Sequence, residues 1–79
     1  MASVPYDVAE AFLRRRSRTR GSFVSRGDTI YSYGLRLAEW QDGIPLWTID
    51  PEVARGYSAT TSRHVLALRH VLPFDNNAP

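Results

Sequence analysis

Between Gly21 and Asp50 short β-branched and aromatic runs alternate with turn residues, while the apolar spacing on either side is helical. This switch of period constrains the fold most, because alternation buries one face of a strand and an i, i+4 stripe buries one face of a helix. Phe23-Val24 and Thr29-Ile30-Tyr31-Ser32-Tyr33 flank Arg26-Gly27-Asp28, which reads as a hairpin turn. Gly34 breaks the run. Leu35 to Trp40 alternates, and Gln41-Asp42-Gly43 then supplies Asp-Gly, a strong signal for a two-residue hairpin. Ile44 to Ile49 returns, with Pro45 placing it toward a sheet edge, and Asp50-Pro51 ends it.

Upstream, Val8 with Phe12 and Ala9 with Leu13 predict a helix over about residues 4–16. Ser3 is its expected cap, Pro5 fits the first turn, and Asp7 suits the positive end of the helix dipole. Ser17 to Gly21 reads as a polar, mobile connection. Downstream, Ala54 to Ala59 reads as a connection with room for a short strand at Tyr57. Thr60, Thr61 and Ser62 are then N-cap candidates for a helix over about 61–72, with Val65, Leu68 and Leu72 on its apolar face and Pro73 as its stop. The order predicts an α+β fold: an N-terminal helix, an antiparallel meander of three to four short strands, and a C-terminal helix, with both helices on one sheet face. The expected core is Phe12, Phe23, Ile30, Leu37, Trp47, Val65 and Leu68, in one domain over residues 1–79 whose ordered part spans about 4–73, with residues 74–79 frayed.

Seventy-nine residues bury a thin core, and chains of this size commonly lean on disulfides, metals or self-association. Cysteine is absent, which excludes disulfides and thiolate metal sites. His64 and His70 lie six apart, about 240° around a helix, so they do not form a metal pair. No metal or other cofactor is therefore expected, and a homodimer is the remaining prop. Pro45 argues that such a dimer uses helix or side-chain contacts rather than strand pairing. No run approaches the ~18–20 apolar residues that cross a bilayer, and no signal-peptide pattern appears, so an intracellular chain with no membrane partner is expected. Arg26-Gly27-Asp28 matches a cell-adhesion tripeptide, but turn chemistry alone accounts for it.

Residues 1–26 hold six Arg against two acids, whereas residues 27–79 hold four Arg against six acids. All ten basic residues are Arg, the composition a GC-rich genome produces and one whose planar guanidinium forks suit phosphate. Arg14, Arg15, Arg16, Arg18, Arg20 and Arg26, with Tyr31, Tyr33, Trp40 and Trp47 near them in sequence, have the makeup of a nucleic-acid surface. A second anion-binding candidate is the start of the last helix, where Thr61, Ser62, Arg63 and His64 sit near unpaired backbone amides. No Gly-rich phosphate loop, paired-carboxylate motif or Ser-His-Asp signature appears, so no catalytic residue is assigned.

At Tyr31-Ser32-Tyr33-Gly34 with Leu37-Ala38, and at Tyr57-Ser58-Ala59-Thr60-Thr61-Ser62-Arg63-His64, the chain resembles a family of small proteins of actinobacterial (mycobacterial) phages. The resemblance covers roughly residues 8 to 70 and includes a helix ending in Arg. It implies a setting, a phage accessory product in the cytoplasm of its bacterial host, and no activity. The dense Arg14-Arg15-Arg16 run departs from the family pattern. The expected function is non-enzymatic binding, with nucleic acid as the concrete partner and a host protein as the alternative. A ribonuclease using His64 as base with Arg63 as phosphate clamp, and a self-assembling protein, rank below these.

Overall fold

The computed structural model describes residues 5–73. In chain order these form α1 (Tyr6–Leu13), β1 (Ser17–Arg20), β2 (Phe23–Arg26), β3 (Thr29–Ser32), β4 (Leu35–Gln41), β5 (Ile44–Trp47), α2 (Pro51–Arg55) and α3 (Ala59–Val71). The strands make one antiparallel sheet in the order β1-β2-β3-β4-β5. The α+β meander between helices is thus present, with five strands where three or four were expected and one additional helix.

Four tight turns close the meander. Tyr33-Gly34 and Asp42-Gly43 both have positive φ at each central residue, the type I′ pattern whose twist matches that of paired strands. Tyr33, at φ 53°, is the bulky residue of the four turns held in the left-handed region.

Phe23, Ser25, Ile30 and Ser32 point to the inner face of the sheet, where α1 and α3 cover them. A bulge extends this face. Ile30 pairs with Ala38 and Tyr31 with Arg36, so Leu37 is the extra residue, and both Leu37 and Ala38 become fully buried. Phe12, Val8 and Ala9 of α1 and Val65, Ala67 and Leu68 of α3 complete the core. Of the expected core, only Trp47 is half-buried. Its indole Nε1 donates to the Leu72 carbonyl at 2.8 Å, and the Trp40 Nε1 donates to the Phe12 carbonyl at 2.8 Å. Each tryptophan thereby ties a helix C-terminus to the sheet, and the Phe12 carbonyl accepts the Arg15 N–H at 3.0 Å as well.

Four local readings are corrected. The first helix stops at Leu13 rather than near 16, because Arg15 turns left-handed at φ 56° and the Arg16 amide reaches back to the Ala11 carbonyl at 2.7 Å, a Schellman closure. Ser17 to Arg20 is an edge strand, not a mobile connection; all four residues are exposed, so it carries no apolar alternation to read. Residues 51–55 form a short helix, with Asp50 as its cap (Glu52 N–H to Asp50 Oδ1, 2.8 Å) and Pro51 in its first turn. Finally, α3 is capped by Ser58, whose hydroxyl accepts the Thr61 N–H at 3.0 Å. Thr60, Thr61 and Ser62 therefore lie inside the helix and not at its cap. The expected Ser3 cap and the frayed tail at 74–79 lie outside the described residues.

Candidate functional site

The face of the sheet away from the helices carries the residues that alternate with the core. Across the strands Val24 pairs with Tyr31, Tyr31 with Arg36, and Glu39 with Leu46, so these five share that face. Arg26, two residues after Val24, lies on it as well. Its guanidinium stands over the Tyr31 ring, 6.0 Å from the centroid. Among the described residues no carboxylate pairs with Arg26. Arg36, on the other side of Tyr31, is shared with Glu39 at 3.1 Å. A hydrogen bond with Thr29 is the main influence on the Tyr31 phenol; burial pushes the other way, but the Arg36 and Arg26 charges help hold it below its ordinary value of 10.0. Shallow clefts of ≈ 290 and ≈ 400 Å³ flank the ring, the first lined by Val24 and Arg26 and the second by Arg36 and Thr48.

Most of the basic cluster in the first 26 residues is already engaged. Arg14 meets Glu10 at 4.0 Å, and Arg15 meets Asp28 at 3.2 Å while lying 4.4 Å over the Trp40 ring. Arg18 and Arg20 point from β1 to Asp7 of α1, at 2.8 and 3.3 Å. Partial burial pushes the Asp7 carboxyl up, yet the Arg18 hydrogen bond and the charges of Arg18 and Arg20 outweigh it and hold it below 3.8. Arg16 and Arg63, like Arg26, have no carboxylate partner among the described residues. Trp40 and Trp47, which composition alone would offer for stacking, are committed to helix carbonyls.

A second constellation joins the Tyr-Ser-Tyr-Gly turn to the start of α3. Ser32 on β3 is buried, and its Oγ lies 3.0 Å from Thr61 Oγ1 and 2.7 Å from His64 Nδ1. Thr61, 2% exposed, also receives the Ser58 hydroxyl at 3.1 Å. His64, 5% exposed, stacks on Phe23 with ring centroids 4.3 Å apart and planes 4° apart. Arg63 is exposed beside it and Ser62 is half-buried, its amide bonded to the Ser58 carbonyl at 2.9 Å. Sequence therefore located Thr61, Arg63 and His64 but not Ser32 or Tyr33, which reach them only by packing of β3 against α3. Alternation in β3 and β4 was the available signal for the Tyr31 face; cross-strand register was needed to add Arg36. Ser32 is buried and held by Thr61 and His64, so it is not an open nucleophile.

Burial lowers the His64 pKa below 6.5, which makes stability pH-dependent. The unfolded chain takes up this proton near 6.5 and the folded chain only at lower pH, so the stabilisation is complete above 6.5 and is lost as pH falls below it. Urea midpoints measured from pH 8 down to 5 should decline on the acid side of about 6.5. The same series on His64→Leu should lack that component, whereas the Asp7 contribution begins only below 3.8. A midpoint that rises on acidification through this window would contradict the buried, neutral imidazole.

No protein-family model, curated protein or solved structure matches the chain. Among the described residues no helix is long and apolar enough to cross a membrane, and no three His, Cys, Asp or Glu side chains gather as metal ligands.

Proposed function

We propose that the protein is a small non-enzymatic binding module for single-stranded nucleic acid, working through the helix-free face of its sheet. The observation that carries this reading is the Tyr31 ring on that face, with the Arg26 guanidinium, which pairs with no described carboxylate, above it and Arg36 beside it. An aromatic ring stacks any base, and a guanidinium neutralises the neighbouring phosphate, so such a pair supports sequence-tolerant binding. Arg16 precedes β1, whose Ser17 pairs with Arg26, and extends the positive end of the same sheet. The setting proposed with it is the one the phage resemblance implies, an accessory product acting in the cytoplasm of a bacterial host.

Anisotropy of a labelled oligonucleotide at ~50 mM salt tests the reading. Tyr31→Ala is expected to weaken binding by about 1–3 kcal/mol, the usual worth of one stacked base. Arg26→Ala should lower the salt slope by about 0.7. Absence of binding by the wild type, or wild-type affinity in Tyr31→Ala, would end the proposal. The alternative is a host-protein binder, favoured by Ile44 and Leu46 of edge strand β5, which are 57% and 42% exposed. It predicts an association that tolerates salt and Tyr31→Ala but is lost in Leu46→Glu.

A further inference from the structure

His64 is buried, yet one of its two nitrogens has no partner among the described residues. The hydroxyl chain around it decides which. Ser58 Oγ accepts the Thr61 amide and donates its own proton to Thr61 Oγ1. In the arrangement that gives every hydroxyl proton of this chain an acceptor, Thr61 donates to Ser32 and Ser32 donates to His64 Nδ1. Nδ1 is therefore the acceptor, and the imidazole, kept neutral by burial, carries its proton on Nε2. Among the described residues nothing accepts that proton.

The remaining edge of the ring lines a cleft of ≈ 230 Å³ together with Arg20, Ser22, Thr60 and Arg63. Among the described residues no carboxylate lines it. Asp7, on the neighbouring turn of α1, is held by Arg18 and Arg20. An imidazole N–H, the exposed Arg63 guanidinium and two hydroxyls around one small cleft describe a receptor for a tetrahedral oxyanion. Thr60 also lines a second cleft of ≈ 600 Å³ whose walls include Tyr33 and Tyr57, 64% and 61% exposed. Two exposed aromatic rings beside an anion site offer a flat heterocycle a place to stack.

We propose that the Arg63–His64 cleft binds the phosphate of a nucleoside monophosphate unit, whose base occupies the adjoining Tyr33–Tyr57 cleft. This site rests on side chains other than those of the sheet face and stands or falls independently of it. The unit is either a free nucleotide or the phosphorylated end of a strand.

Two-dimensional amide NMR at constant ionic strength tests the assignment with three probes: AMP, inorganic phosphate and adenosine. Phosphate and AMP should give saturable shifts at residues 20–22 and 60–64, and AMP should add shifts at Tyr33 and Tyr57. Adenosine should bind at least about tenfold more weakly than AMP, a difference of about 1.4 kcal/mol. Arg63→Ala should weaken AMP and phosphate alike by about tenfold without altering the melting temperature, since Arg63 is exposed. Tyr57→Ala should remove the advantage of AMP over phosphate and leave phosphate unchanged. Tyr31→Ala should leave all three probes unchanged, which separates this site from the sheet face. A 5′-phosphorylated tetranucleotide binding more tightly than AMP identifies a strand end as the source, and equal binding identifies the free nucleotide. No saturable shift at ~20 mM phosphate, unaltered affinity in Arg63→Ala, or adenosine binding as tightly as AMP would overturn the proposal.

Discussion

Phe23→Ala is expected to destabilise the protein by about 3–5 kcal/mol, the range for emptying a fully buried phenylalanine site. The side chain is 0% exposed and fills the space between β2 and α3, where the His64 ring lies flat on it. Alanine leaves a cavity that Ser25 and Ser32, both hydrogen-bonded in place, cannot close. Domains hold only about 5–15 kcal/mol in total, so the variant should be marginal. Thermal melting should drop by about 4–8 °C per kcal/mol for a chain of this size. The same cavity admits water to His64, and its pKa should move back up toward 6.5. A loss below about 1 kcal/mol would mean that the imidazole and Phe23 are not stacked in the folded state.

Leu68→Ala should cost about 2–5 kcal/mol, while Leu66→Ala, two positions earlier, should stay within about 0.5 kcal/mol. The contrast follows from the rotation of α3: Leu68 is fully buried, and Leu66 is 50% exposed on the opposite side. Chemical denaturation of the two variants reads the orientation of the helix directly. Comparable losses would show that α3 is turned differently against the sheet. Because α3 also carries Thr61, Arg63 and His64, such a rotation would dismantle the cleft as well.

Apolar periodicity made legible whatever buries an apolar stripe. Phe23, Ile30, Leu37, Val65 and Leu68 were readable as core because each repeats with the period of its element. The turns at Gly27-Asp28 and Asp42-Gly43 were readable because hairpin backbones demand those residues. β1 was not, since Arg18 and Arg20 face Asp7 across an exposed edge and leave only polar alternation. The bulge that buries Ala38 beside Leu37 has no local signature, being a property of the register with β3. For the site, Arg63 and His64 were visible as neighbours of a helix start. Their partner Ser32 lies 32 residues from His64 and meets it only once the sheet and α3 have packed. Composition does not show that both tryptophans are half-buried and fixed by hydrogen bonds to the Phe12 and Leu72 carbonyls.

An open five-stranded sheet has two rims at which another strand could dock and propagate a fibre. At one rim, β1 presents four exposed residues, and Arg18 and Arg20 would bring positive charge against positive charge in any second copy laid alongside it. At the other, Pro45 removes a backbone donor from β5. The pairing of arginines with Asp7 thus has an effect beyond this molecule. It keeps the outer border of β1 polar and occupied, a feature that opposes the docking of a further strand there.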